Sequence, residues 1–345
     1  MNKNNLEKDT LQYKRGGLQK DTYHMSDTST WSCPLCKDES SSKHHDQLLK
    51  TERGALGVVK CKKCSLIRIN PRLTNPDAVY HGKEKDYLEE FRLIIDGKKE
   101  HHRDRNYLED LNTIAKYKPD QNPAEFLDIG TNTGSFLRLA RNRKWNLTGV
   151  EPSKSLSNLA QEWWGLNIIN SFLEDAKLPT LHYDIVTMTD VFEHIVNPNE
   201  LLQEVHRIMK KDGILFIKVP NGKYNVFKYN VRKKLLGRGG SGSDATSDDF
   251  DAYEHVCHYT DKTLTKMLRK NNFKILETKI ALPVQIPMWH KYVGQYYQYK
   301  QPFFLDWKGQ IGRTSLYHAS KIERLIRGGS IGHLAPNIIC IARPT

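Results

Sequence analysis

Four of the six cysteines stand in two pairs, Cys33-Pro-Leu-Cys36 and Cys61-Lys-Lys-Cys64. Each Cys-x-x-Cys step brings two thiolates toward one point, so two such knuckles together can supply the four-sulfur tetrahedron that zinc prefers. The stretch between them is slightly longer than usual zinc-ribbon spacing. Four thiolates leave the metal no open position, so the expected role is structural. His44 and His45, in the intervening loop, are read as loop residues, and Cys340, inside an apolar run, as core. The neighbours of Cys257 do not decide its role.

Two histidines have the right company for moving a proton, because an imidazole titrates near neutrality. His194 follows the apolar run Tyr183 to Thr189 within Val191-Phe192-Glu193-His194-Ile195. His255 lies in Tyr253-Glu254-His255-Val256-Cys257-His258-Tyr259, directly after Gly237 to Asp251 (GRGGSGSDATSDDFD). That Gly, Ser and Asp rich run is expected to be a mobile loop that closes over a bound molecule. His255 is thus the first candidate for a general base, with Glu254 available to orient it, and His194 is the second. Either could instead be a packing histidine.

A third group could hold a ligand. Asp128-Ile129-Gly130-Thr131-Asn132-Thr133-Gly134 joins an apolar strand pattern, Glu125 to Ile129, to a helical one, Ser135 to Lys144. Glycines let the chain turn tightly and approach a ligand closely, and the helix start favours negative charge. The dinucleotide fingerprint G-x-G-x-x-G fails, since Asn132 takes its middle position. Glu151 ends the next strand about 20 residues on, where an acidic residue can accept from both hydroxyls of an adenosine ribose. Its alternative role is to cap the following helix through Pro152 and Ser153.

These residues need a frame. Strand patterns at Glu125 to Ile129, Leu147 to Val150, Asn167 to Ile169, Tyr183 to Thr189 and Ile214 to Val219 alternate with helical ones, notably Leu156 to Trp164 and Asn199 to Lys211. Such alternation specifies an α/β fold, a doubly wound, Rossmann-like and mostly parallel sheet. The expected organisation is a polar, disordered arm (1–30), a zinc-binding module (31–75) and a helical linker or lid (76–123). The α/β domain follows (124–282), carrying the loop 237–251. After it come an aromatic helical insertion, read as an acceptor cap (283–334), and a last strand (335–345).

No run in the 345 residues approaches a membrane span. Paired cysteines and a start without a leader pattern favour a reducing, cytoplasmic setting. The formal charge of +13 implies an anionic partner, without choosing among phosphorylated small molecules, nucleic acid and a membrane surface. Oligomeric state is not legible. The aromatics Trp289, Tyr292, Tyr296, Tyr297, Phe303 and Phe304 suit a pocket or cap, a small helical core, or a peripheral membrane or partner surface.

The ordered segments FLDIGTNTGSFL, GVEPS, SFLEDAKLP and YDIVTMTDVFEHIVNPNELLQEVHRIMKKDGILFIKVPN, from Phe126 to Asn221, resemble the motifs of class I S-adenosylmethionine (SAM) dependent methyltransferases. The resemblance implies that Asp128 and the turn Gly130, Asn132 and Gly134 hold the methionine part of SAM. It further implies that Glu151 binds ribose, that backbone at Phe172 and Leu173 lines adenine, and that Asp190 sits beside the methionine part. The family commonly has glycine where Asn132 stands; asparagine tolerates left-handed backbone, so only a modest change of the turn is expected.

The order of parts, a cysteine ribbon, INPRLTNPDAVYHGKEKDY and then the SAM domain, resembles bacterial methyltransferases of sugars and other small metabolites. Several of these are C-methyltransferases of nucleotide-linked deoxysugars. In them a tyrosine matching Tyr80 or Tyr87 comes near the cofactor; alternatively both tyrosines anchor their helix. The letters around His255 depart from that group, so C- and O-transfer both stay open. The expected activity is methyl transfer to a small, anionic acceptor such as a nucleotide-linked sugar or a polysaccharide or secondary-metabolite precursor. An RNA methyltransferase and a non-catalytic binding protein are the rivals. Retention of Asp128, Gly130, Gly134, Glu151 and Asp190 favours a working SAM site.

Overall fold

The computed structural model describes residues 28–43, 49–51, 54–73, 84–95, 101, 103–119, 122–236, 250–252, 254–283 and 307–345. The expectations for residues 1–27 of the N-terminal arm, His44, His45, Tyr80, Tyr253, most of the loop 237–251 and the aromatic stretch up to Asp306 lie outside the described residues. The end of the arm, Thr28–Ser29, is a strand and not the disorder expected there, because it pairs with Arg72–Leu73.

The N-terminal part is built of short strands: β1 (Thr28–Ser29), β2 (Ser41–Lys43), β3 (Leu49–Thr51), β4 (Gly54–Leu56), β5 (Val58–Cys61), β6 (Ile67–Ile69) and β7 (Arg72–Leu73). Strands β5 and β6 form a hairpin that turns through the Cys61–Cys64 knuckle. Two helices, α1 (Glu84–Ile95) and α2 (Asp104–Ala115), lead to the main sheet.

That sheet has seven strands in the order β10-β9-β8-β11-β12-β15-β14. They are β8 (Ala124–Ile129), β9 (Trp145–Val150), β10 (Asn167–Ile169), β11 (Tyr183–Thr189), β12 (Met209–Pro220), β14 (Phe273–Ile280) and β15 (Asn337–Pro344). The first five run parallel, and β15 lies antiparallel to both β12 and β14. A Rossmann-like, mostly parallel sheet is therefore what the chain forms. From β8 the chain moves to one side through β9 and β10, then crosses back to β11, so strand order reverses between β8 and β11. Open α/β sheets bind ligands outside the carboxyl ends of the strands at such a point.

Residues alternate across the sheet, and each face has its own core. Phe126, Ile185, Ile214, Phe216 and Ile341 face α2, α3 (Leu137–Ala140) and α4 (Lys154–Trp164). Leu127, Val186, Met188, Leu215 and Ile217 face α5 (Pro198–Ile208) and α7 (Asp261–Lys270), and this core runs on without a break into Cys33, Leu35, Cys61 and Leu66. The far side of the hairpin, Val58, Ile67 and Ile69, packs with Tyr229 of α6 (Gly222–Leu236) and with Phe250. The zinc-type module is thus cemented to the main domain on both faces of its hairpin.

Two helix boundaries differ from the sequence reading. The helix expected from Ser135 to Lys144 is regular only over Leu137–Ala140. The one expected from Asn199 to Lys211 stops at Ile208, because N–H groups of Leu181 and His182 take the carbonyls of Arg207 and Ile208 (3.0 and 2.8 Å) and free the chain for β12. Part of the expected aromatic insertion is a helix, α8 (Trp307–Ile326). Among the described residues no helix is long and apolar enough to cross a membrane.

Candidate active site and metal centre

The glycine turn lies at the carboxyl end of β8. Gly130, Asn132 and Gly134 adopt left-handed backbone, with φ of 71°, 53° and 74°. A Cβ on Gly130 would come within 2.6 Å of Val191 Cγ2, so this position is closed to larger residues by the segment that follows β11. The N–H groups of Gly130 and Thr131 donate to Val150 O (2.9 and 3.2 Å), which folds the turn against the end of β9.

There the buried Glu151 accepts from Asn132 N at 2.7 Å and from Ser153 N at 2.9 Å. Ser153 in turn caps α4 by accepting from Leu156 N. One carboxylate therefore braces both the turn and the approach to α4. Asp128 is buried and accepts from Thr187 Oγ1 at 2.6 Å. Burial pushes its pKa up to about 7 against that hydrogen bond.

Phe172 is 42% exposed while Leu173 beside it is buried, which leaves a flat apolar ring at the mouth beyond β10. Asp190, just past β11, has φ of 57° and is ion-paired with the Arg103 guanidinium. Strained backbone at a sheet's ligand edge is a mark of functional sites. Tyr87 is half-buried on α1, the helix whose Phe91 meets Trp164 of α4 edge-on at 5.7 Å.

His194 and His255, 61 positions apart, come together: their rings meet edge to face with centroids 4.7 Å apart. His194 Nδ1 lies 3.1 Å from Glu254 O, so in one tautomer it donates to that carbonyl and ties the turn after β11 to the segment bearing His255. His255 lies between two carboxylates, with Nε2 3.9 Å from Glu193 Oε1 and Nδ1 3.9 Å from Asp251 Oδ2. Neighbouring His258 is buried and receives Asn225 Nδ2 on Nδ1 at 3.3 Å; burial drives its pKa down to about 3, so it is a neutral structural residue.

The His255 segment is held from the N-terminal module. Strand β13 (Cys257–His258) pairs antiparallel with Ile67 and Arg68 of β6, and Ile69 N donates to Val256 O at 3.1 Å. Cys257, whose role the sequence leaves undecided, is fully buried core.

The four knuckle cysteines meet. Sγ of Cys33 is 3.4 Å from Cys64 and that of Cys36 is 3.5 Å from Cys61, and all four sulfurs lie within 4.8 Å of one another. The knuckles share one backbone pattern. In each, the first cysteine's carbonyl accepts from the N–H four residues on (Lys37 N, 2.7 Å; Ser65 N, 3.0 Å), and its N–H donates to the carbonyl five residues on (Asp38 O, 3.0 Å; Leu66 O, 2.9 Å). Lys37 and Ser65 are both left-handed, with φ of 59° and 66°. Thiolates bound about 2.3 Å from zinc lie about 3.8 Å apart in a tetrahedron, and these sulfurs are close to that arrangement.

Three groups at this edge escaped the sequence reading. Arg103 is one of several cations in a highly charged stretch, and only the fold shows it against Asp190. Glu193 adjoins His194 and reads as part of a packing segment, yet it is 1% exposed. Lys218 of β12 forms a buried ion pair with Asp110 of α2, its ammonium 5.2 Å from the centre of the Tyr107 ring. No local pattern announces that pair.

Fold, glycine turn and acidic strand ends are those of a methyltransferase-type α/β domain. The sequence model of a methyltransferase domain matches residues 100–278, just over half of the chain, and the protein belongs to that methyltransferase-domain family. C-methyltransferase NovU of Streptomyces niveus is 29% identical over 170 residues, covering 48% of this chain and 38% of that protein. The ubiquinone biosynthesis O-methyltransferase of Glaesserella parasuis is 40% identical over 105 residues, covering 28% and 44%. The chain thus spans less than half the length of either relative. A SAM-dependent methyltransferase structure from Mesorhizobium loti aligns with a TM-score of 0.43 at 14% identity, over 67% of this chain and 96% of that one.

Proposed function

We propose that the protein transfers a methyl group from SAM to a small anionic acceptor, a nucleotide-linked sugar or a related precursor, with His255 as the base. The observation that carries this reading is the edge-to-face meeting of His194 and His255, centroids 4.7 Å apart, at the segment that follows β11 beside the strand-order reversal. In this reading a proton acceptor lies at the ligand edge of the sheet. The relatives' names include both C- and O-methyltransferases, and both chemistries use a base when the acceptor must lose a proton. The charge of +13 favours an anionic acceptor.

SAM, when bound, supplies an electrophilic methyl group. Glu151, already fixed by Asn132 N and Ser153 N, holds the ribose hydroxyls, and the exposed ring of Phe172 with Leu173 flanks adenine. Asp128, Gly130, Asn132, Gly134 and Asp190 would hold the methionine part, and Tyr87 of α1 is a further candidate contact. Arg103, paired with Asp190, gives the carboxylate of that part a cation. These residues align the acceptor and keep water out, the main work in an in-line displacement. Cys33, Cys36, Cys61 and Cys64 bind one structural zinc.

The test is incubation of zinc-loaded protein with SAM and a panel of nucleotide-linked sugars, read by mass spectrometry for the gain of one methylene. A methylated sugar nucleotide is expected. Absence of SAM binding by calorimetry in folded protein overturns the cofactor reading, and methylation of RNA alone overturns the acceptor class.

A further inference from the structure

Two buried glutamates flank this site, and they are treated differently. Glu151 is held by two backbone N–H groups. Glu193 is as deeply buried, but among the described residues no group of another residue is in hydrogen-bonding position on either carboxyl oxygen; only its own N–H lies close. Burying a carboxyl without partners costs free energy, and a merely structural position would be filled more stably by an apolar side chain. What Glu193 faces is His255, whose Nε2 is 3.9 Å from Oε1.

We propose that Glu193 is the positioning residue for His255, facing the ring through Nε2 and balancing the positive charge the ring acquires when it takes a proton from the acceptor. This deepens the reading of His255 as the base and rests on it. In the step, the acceptor's proton passes to Nδ1 of His255, and the electron pair it leaves behind forms the bond to the methyl group. The sulfur keeps the pair of the broken bond. The proton then leaves through Asp251, which faces Nδ1 at 3.9 Å and whose side chain is 60% exposed.

The charged surroundings of Glu193 come from several elements. Arg103, before α2, and Lys218, on β12, favour its ionised form, whereas Asp251 opposes it. Arg103 is itself paired with Asp190, Tyr259 lies beyond β13, and His194 is the neighbour of Glu193 in the turn. Burial is the largest influence and pushes the carboxyl up to about 8. Glu193 and His255, 3.9 Å apart, are close enough that the charge the ring takes up favours the ionised carboxylate.

The experiment needs no acceptor. Full-length zinc-loaded protein with S-adenosylhomocysteine bound is labelled with nitrogen-15 in its histidines, and the His255 ring is followed by NMR against pH, assigned with a His255→Gln sample. Wild type should show, beside the ring's own step, an upper step contributed by the Glu193 carboxyl, which burial raises to about 8. In Glu193→Gln that step should vanish, leaving a single step at lower pH, while the melting temperature at pH 8 stays equal or rises because a buried carboxyl has been removed. Glu193→Asp should keep part of the upper step, and it serves as the second variant if the glutamine form is unstable.

An unchanged His255 titration in Glu193→Gln overturns the proposal, and so does a fallen melting temperature with the titration curve intact. Saturable broadening of both His194 and His255 by added Mn2+ would overturn it in favour of a cation site, since ligand atoms of Glu193, His194 and His255 lie within 4.8 Å of one another. Failure of the underlying reading looks different. A fully active His255→Ala enzyme removes the base, whereas an inactive one with an unperturbed wild-type titration removes only the pairing with Glu193.

Discussion

The cofactor half and the acceptor half of this site are built on opposite plans. Asp128, the glycine turn and Glu151 come from one continuous stretch from β8 through α3 to the end of β9, and the contacts that fix them are short-range: Asn132 to Glu151, Gly130 to Val150. The acceptor half draws Glu193, His194 and His255 from two distant segments. Its central histidine is anchored by a two-residue strand on the hairpin that carries the second cysteine knuckle. A locally built half can tolerate loss of the N-terminal module; a half assembled at a distance inherits the stability of each part it leans on.

If the acceptor half carries the proton chemistry, the largest effect should come from His255→Ala, with kcat down by roughly 100-fold to 10,000-fold, the usual worth of a positioned base. SAM affinity should stay near wild type, because no contact of the cofactor half is touched. Kinetics and calorimetry on one preparation separate this from a packing role, which predicts a lower melting temperature and an unchanged kcat per folded molecule. Should His255→Ala be stable and active, His194 becomes the candidate base.

Zinc removal probes the dependence between the halves. Cys61→Ser should lose the metal and loosen β5 and β6, and with them β13. The predicted result is a fall in kcat of up to about 100-fold, the cost of a misplacement of about 1 Å, with SAM affinity changed less than about threefold, below 1 kcal/mol. If metal analysis finds no zinc in protein purified without chelator, the metal reading fails. If SAM binding is lost together with the metal, the two halves are not independent and the comparison breaks.

The same contrast explains what the sequence discloses. The knuckles, the turn and Glu151 were legible because each is a short pattern with its own chemistry. Asn132 at φ of 53° bears out the expectation that asparagine can stand in the left-handed position of the turn. Helix ends were misread where distant N–H groups capture carbonyls, as at Arg207 and Ile208. Strand β13 is too short for any periodicity to reveal, and Glu193 and Arg103 gain meaning only from partners 62 and 87 positions away.

Within the cofactor half, Glu151→Ala should weaken SAM binding by about 1–3 kcal/mol, the range for leaving buried hydrogen-bonding groups unpaired. It should also lower thermal stability, since the N–H groups of Asn132 and Ser153 lose their acceptor. Unchanged affinity by calorimetry in a folded variant would remove Glu151 from the ribose.

The smallest effect is expected at Asn132. Its left-handed backbone costs free energy that glycine would not pay, but its side chain accepts from Thr133 N at 2.6 Å, a local bond that steadies the turn. Asn132→Gly gains the first term and loses the second, and it adds freedom to the unfolded chain worth roughly 0.5–1 kcal/mol against folding. The terms nearly cancel, so SAM affinity should change by less than about threefold, or roughly 0.6 kcal/mol. The backbone N–H that Glu151 receives is kept in this variant. Asn132→Val is the contrast: a β-branched side chain in left-handed backbone has no compensating local bond, so both stability and SAM affinity should fall clearly. Equal losses in the two variants would mean that the asparagine amide itself, and not the backbone shape it permits, is what the cofactor half needs here.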